Sequence, residues 1–182
     1  PDAAPLAPVP PARRSQLWLA LAGGADMRAG ASTAGGVEVG AGLLYGVARV
    51  GVSVRTASPG RFDTLGGTER VVPVEVELMA RWRRPAAFAP TLGLGGGVSV
   101  RRYLVDDALV EAALLVDTAL VPFASLDAGL SWSATPWLEL TPRVSATYDL
   151  VTTTLAKGDA TLVQGPLGVG VGLEVTLHTA IP

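Results

Sequence analysis

Near its C-terminus the chain reads GPLGVGVGLEVTLH, residues 165–178. Gly168, Gly170 and Gly172 recur there at alternate positions, and His178, the only histidine, follows them. Such a glycine run could cradle a phosphate, and the histidine could act as a base or a metal ligand. A phosphate cradle, however, needs a strand, a glycine-rich turn and a helix start, with spacing such as G-x-G-x-x-G. Here alternation continues unbroken past the glycines. Leu167, Val169, Val171, Leu173, Val175 and Leu177 fall on one face, and Gly168, Gly170, Gly172, Glu174, Thr176 and His178 on the other. The glycines are one face of a strand. They are expected to leave room for Arg and Tyr side chains reaching from opposite strands.

Other constellations point the same way. With no cysteine and a single histidine, no set of residues has zinc-ligand spacing, so neither metal nor cofactor is expected. Glu75 and Glu77 share a face, as paired carboxylates for acid–base work would, but Arg81 and Arg83 follow on that face, so neutralisation is the expected role. No catalytic residue is assigned. A net charge of −2 without a basic stripe excludes nucleic acid as a partner.

The elements that must position these residues follow from composition and period. The chain is 49% hydrophobic but only 16% charged, below the roughly 25% typical of soluble domains. Its longest clean apolar run, LWLALAGGA (17–25), is far short of the roughly 18 residues a membrane helix needs. Basic residues are thirteen Arg against the single Lys157, which leaves little ordinary solvated surface. The hydrophobicity is spread over strands. Period-two alternation predicts eight of them, near residues 16–28, 36–45, 49–55, 72–83, 88–101, 120–133, 138–150 and 167–178. The stretch 107–124 is ambiguous, because its Ala, Leu and Glu also favour a short helix; it is assigned to a loop and the start of the sixth strand.

Connections alternate between short (Gly46, RPAA 84–87, ATP 134–136) and long (29–34, 56–70, 102–112, 152–165), the pattern of a transmembrane barrel with short turns at one end and loops at the other. Trp18, Tyr45, Trp82, Phe88, Trp132 and Trp137 cluster at the short-turn end, and are expected to form a membrane-interface girdle there. The polar face carries Gly, Ser, Thr, Arg and acids with almost no Lys, Gln or Asn, which separates this barrel from a soluble sandwich or lipocalin-like fold with an apolar interior. Arg49, Arg81, Arg143, Glu38, Glu77, Asp127, Glu139 and Glu174 therefore face inward. Arg55, Arg83, Arg101, Asp26, Glu75 and Asp149 accompany them. Counted from the short turns, acids and bases share each level, so a cross-barrel salt-bridge network is expected, with a loosely packed polar conduit as the alternative.

On this pattern, residues 15–180 resemble the small eight-stranded outer-membrane β-barrels of Gram-negative bacteria, similar to the transmembrane domain of outer-membrane protein A. Barrels of that kind often end in Phe or Trp, whereas this chain ends in LHTAIP. Lipid-A deacylases among them use a Ser/His dyad on the lipid-facing surface, which an inward His178 does not match. The resemblance implies an all-β, antiparallel, up-and-down transmembrane barrel over 15–182. The Pro-rich segment 1–14 precedes it as an extended periplasmic linker or tail, and the chain is expected to be a mature form or an excised piece. It further implies a bacterial outer-membrane location with termini periplasmic and long loops extracellular, and outer-membrane lipid as a partner. The expected function is non-enzymatic: a membrane anchor or assembly module, joined through the Pro-rich segment to a periplasmic or envelope-complex protein. A narrow pore or lateral conduit for small or lipophilic molecules is the alternative. Loop 56–70 is read as a flexible tip or a receptor and adhesion surface.

Overall fold

The structure, a computed structural model, describes residues 15–28, 34–58, 60–64, 67–83, 86–107, 112–152, 154–157, 160–163 and 166–180. The Pro-rich segment 1–14 lies outside them. The described residues form strands β1 (Gln16–Arg28), β2 (Ala34–Tyr45), β3 (Ala48–Ala57), β4 (Gly60–Thr64), β5 (Gly67–Arg83), β6 (Phe88–Asp107), β7 (Ala112–Thr135), β8 (Leu138–Asp149), β9 (Thr154–Lys157), β10 (Ala160–Val163) and β11 (Leu167–Ala180). No helix of the described chain is long and apolar enough to cross a membrane.

Eight antiparallel strands close a barrel in the order β3-β2-β1-β11-β8-β7-β6-β5, with β3 pairing back onto β5. Closure removes the free sheet edges that a bilayer could not hydrate. The chain's first and last barrel strands meet in the wall, with Gln16 opposite Ala180, so both ends of the barrel leave from the short-turn rim. On that rim Gly46 takes a left-handed φ of 61°, which a residue with a Cβ adopts only at a cost.

Two segments differ from the sequence expectation. Residues 112–118 are neither loop nor helix: β7 starts at Ala112 and runs for 24 residues. Pairing of Ala112 to Thr118 with β6 supplies the hydrogen bonds that override the local helix propensity. Loop 56–70 is largely strand as well, since β4 continues the line of β3 along the upper part of β5. The 152–165 connection carries the β9–β10 hairpin, a two-stranded sheet separate from the barrel. The barrel wall is therefore taller on the β5–β6–β7 side than on the β8–β11–β1 side.

The outer face is the apolar one. Leu19, Val39, Val52, Leu78, Leu94, Leu126, Val144 and Val171 are all exposed, strand by strand around the barrel. Buried positions are instead held by Glu38, Arg49, Arg81, Arg101, Asp127, Glu139, Asp149 and Glu174. Such an inversion is uphill in water and favourable only where lipid wets the outside.

Candidate functional site

The interior is built by the inward-facing members of each alternating strand. Glu174 on β11 is the hub at the lower level. Its carboxylate accepts from Arg81 Nη1 at 2.9 and 3.0 Å and from Arg49 Nη2 at 2.5 Å. Arg143 Nη1 approaches its second oxygen at 3.4 Å. Thr176 Oγ1 donates to it at 2.8 Å, and Arg49 Nη1 donates in turn to Thr176 at 3.1 Å. Arg81 Nε reaches Asp127 at 2.8 Å, so one guanidinium joins β5 to both β7 and β11.

Above the hub, Arg143 is paired with Glu38, and Glu77 accepts from Ser125 Oγ. Towards the long loops, Arg55 pairs with Asp26 and lies 3.9 Å from Glu75, and Arg101 meets Asp149 at 2.7 Å. At the short-turn rim Glu139 accepts from Ser131 at 2.7 Å and lies 3.4 Å from His178 Nε2. Of the acids and bases counted onto common levels from the sequence, Arg49, Arg81, Asp127 and Glu174 meet low in the barrel and Arg143 meets Glu38 above them, whereas Glu77 bonds to Ser125 and Glu139 to Ser131 and not to a base of their levels. The side chain of Arg83 is outside the described residues. Charges so deeply placed persist only when paired and hydrogen-bonded.

Trp18 is a correction. Its position near the short-turn end suggested the girdle, but its side chain is 0% exposed inside the barrel. The guanidinium of Arg49 lies 4.0 Å over its ring, and its Nε1 donates to the Val50 carbonyl at 3.2 Å. The reason is parity: Leu17 and Leu19 point out, so Trp18 points in. Tyr45, Trp82, Phe88, Trp132 and Trp137 are exposed on the outer face of this rim, with Phe88 and Trp132 stacked at 6.1 Å between ring centroids.

The glycines also serve other neighbours than expected. A Cβ on Gly40 would stand 3.0 Å from the Trp18 ring, one on Gly42 2.9 Å, and one on Gly51 would collide with it. Gly93 gives way to Asp127, Gly95 to Glu77, and Gly170 to Asp26 and Ser145. The hollow side of the wall receives an indole and carboxylates, not Arg and Tyr.

Some interior residues were not foreseen. Phe123 and Val121 on β7 are buried at the level of Arg101, Met79 and Ala89 are buried lower down, and together they add apolar packing to the charged plug. Their parity, opposite to Leu120 and Leu126, was the available signal. Between β1, β2, β8 and β11 there remains a cavity of about 30 Å³, lined by Asp26, Glu38, Arg55, Arg143 and Ser145 among others. It has room for roughly two waters, and the Glu38–Arg143–Glu174 level closes it from below. Among the described residues no group of acids and histidine is arranged to hold a metal ion.

No protein-family model and no characterised protein sequence matches the chain. Solved structures do. Neisserial surface protein A, from Neisseria, is 14% identical with a TM-score of 0.56, over 90% of this chain and 96% of its own. A major outer membrane protein from Thermus thermophilus is 16% identical with a TM-score of 0.53, over 90% and 99%. At such identities the likeness concerns fold alone. The chain has the fold of the eight-stranded outer-membrane β-barrels.

Proposed function

We propose that this barrel is a structural membrane anchor or assembly module of the bacterial cell envelope, with no enzymatic role of its own. Its termini face the periplasm and its long loops the exterior. The Pro-rich segment 1–14 then tethers it to a periplasmic or envelope-complex protein.

The supporting observation is the occluded interior. Arg81 and Glu174, 2% and 1% exposed on their side chains, join opposite walls at one level, and Arg143 meets Glu38 across β11 and β1 above them. A conducting pore needs a continuous water path, whereas salt bridges spanning the bore serve stability. The aromatic rim beside the short turns supports the orientation, since short turns are periplasmic in barrels of this fold. Planar-bilayer recording tests the function: an anchor gives no steady unitary current over many insertions. Reproducible steps would instead assign the barrel to transport.

A further inference from the structure

Low in the bore, Arg81 Nη2, Asp127 Oδ1 and Thr91 Oγ1 are buried and make no hydrogen bond to the protein. Buried polar atoms are almost always bonded, to protein or to ordered water, so three orphans need a cause. The ladder register brings them together. Gly93 on β6 lies opposite both Arg81 on β5 and Asp127 on β7, and Thr91 is one inward step along β6 towards the short turns. Thr91 is therefore the diagonal neighbour of both, roughly 7–8 Å away between Cα atoms. The positions between them carry no side chain: Gly129 faces Thr91 across the β6–β7 ladder, and Gly93 separates Arg81 from Asp127. Thr91, Arg81 and Asp127 are 5%, 2% and 8% exposed, so bulk solvent does not reach them.

Their free atoms share one flank. Arg81 Nη1 is taken by Glu174, and Nε comes within 2.8 Å of Asp127 Oδ1 without the alignment of a hydrogen bond. The guanidinium fork is rigid, and Nη2 turns one N–H to the same side as Nε. Arg81 Nη2 and Asp127 Oδ1 thus border a common space. The Thr91 hydroxyl leans towards β7, the strand of Asp127, since a Cβ on Gly129 would stand 3.0 Å from Oγ1.

We propose that Arg81 Nη2, Asp127 Oδ1 and Thr91 Oγ1 form a binding site for one buried water. The occupant accepts from the guanidinium and donates to the carboxylate, while the hydroxyl does either. A halide would stand against Asp127 and a cation against Arg81, so the occupant is neutral. A water bridges groups about 4.5–5.5 Å apart, and three partners are what a buried water usually has. Through it Thr91 becomes a positioning residue for Arg81, whose guanidinium joins β5 to β7 and β11. The water also keeps part of the solvation that a dry ion pair would forfeit.

The test uses the full chain folded in detergent. A high-resolution crystal structure should show one solvent peak within about 2.7–3.2 Å of all three atoms. Its absence, or a direct protein partner for Thr91 Oγ1, overturns the site. Crystals grown in bromide should give no anomalous peak there; a bromide between Arg81 and Thr91 would overturn the neutral occupant. Unfolding midpoints add a test of sign. A hydroxyl buried without a partner costs stability, so in a dry site the near-isosteric Thr91→Val would raise the midpoint. With water bound, T91V should lower it by about 2–4 °C, the shift that one lost hydrogen bond makes in a chain of this size. T91S keeps the hydroxyl and should lose less. A midpoint raised or unchanged in T91V, or a loss in T91S as large as that in T91V, overturns the proposal. Should T91V not fold, the crystal structure of the parent decides alone.

Discussion

At the residue scale the interior depends on a few crowded contacts. Glu174 neutralises Arg49, Arg81 and Arg143 from one carboxylate, so E174Q takes the carboxylate from Arg49 and leaves Arg81 with Asp127 alone and Arg143 with Glu38 alone. A loss of about 3–5 kcal/mol is expected, read as a shift of the urea midpoint in refolded, detergent-solubilised protein; a change under about 1 kcal/mol would deny Glu174 its place as hub. Trp18→Ala should cost a similar ~3–5 kcal/mol through the cavity it opens, while Trp137→Ala on the exposed rim should cost far less. Equal costs for the two would return Trp18 to the girdle. Gly170→Leu pushes a side chain against Asp26 and Ser145 and should lower folding yield; insertion as good as the parent's would refute the hollow-wall explanation. Much of this scale was legible. Parity placed the inward charges, because a lipid-facing strand tolerates few alternatives. Trp18 reads as a rim residue only when its nearness to the short turns outweighs its parity with Ala20 and Ala22, and parity is the stronger constraint. The partner of each charge was not legible, since who meets whom depends on strand tilt and stagger, which one sequence does not display.

At the element scale, alternation marks strands well where one face meets lipid and fails where neither does. That is why the stretch from Ala112 to Thr118, above the apolar band, read as loop or helix, although pairing with β6 makes it strand. The same distinction separates essential from dispensable segments. A charge in the wall should be severe: Val76→Arg, mid-strand on the exposed face of β5, is expected to cost about 2–4 kcal/mol. Among the described residues the β9–β10 hairpin shares no ladder with the barrel. Replacing residues 153–165 with a short Gly/Ser turn should leave heat-modifiable migration and the unfolding midpoint nearly unchanged, and a lost barrel would show that the hairpin takes part in closure.

At the scale of the whole molecule, one inversion organises everything: apolar residues outside, paired charges inside, and both barrel ends leaving from one rim. A soluble barrel of the same strand order would carry its aliphatic residues inward. The two differ in which alternate positions touch lipid, and the native chain has no cysteine to complicate labelling. Single cysteines at Val76, Leu94 and Leu126, and at the fully or nearly fully buried Ser53, Ser99 and Ser131, can each carry a fluorophore or be probed with thiol reagents in proteoliposomes. Labels at the first three should be quenched by nitroxide lipids, while the three serine positions should resist both lipid quencher and aqueous reagent. Quenching at the serine positions with protection at the aliphatic ones would contradict the inverted barrel.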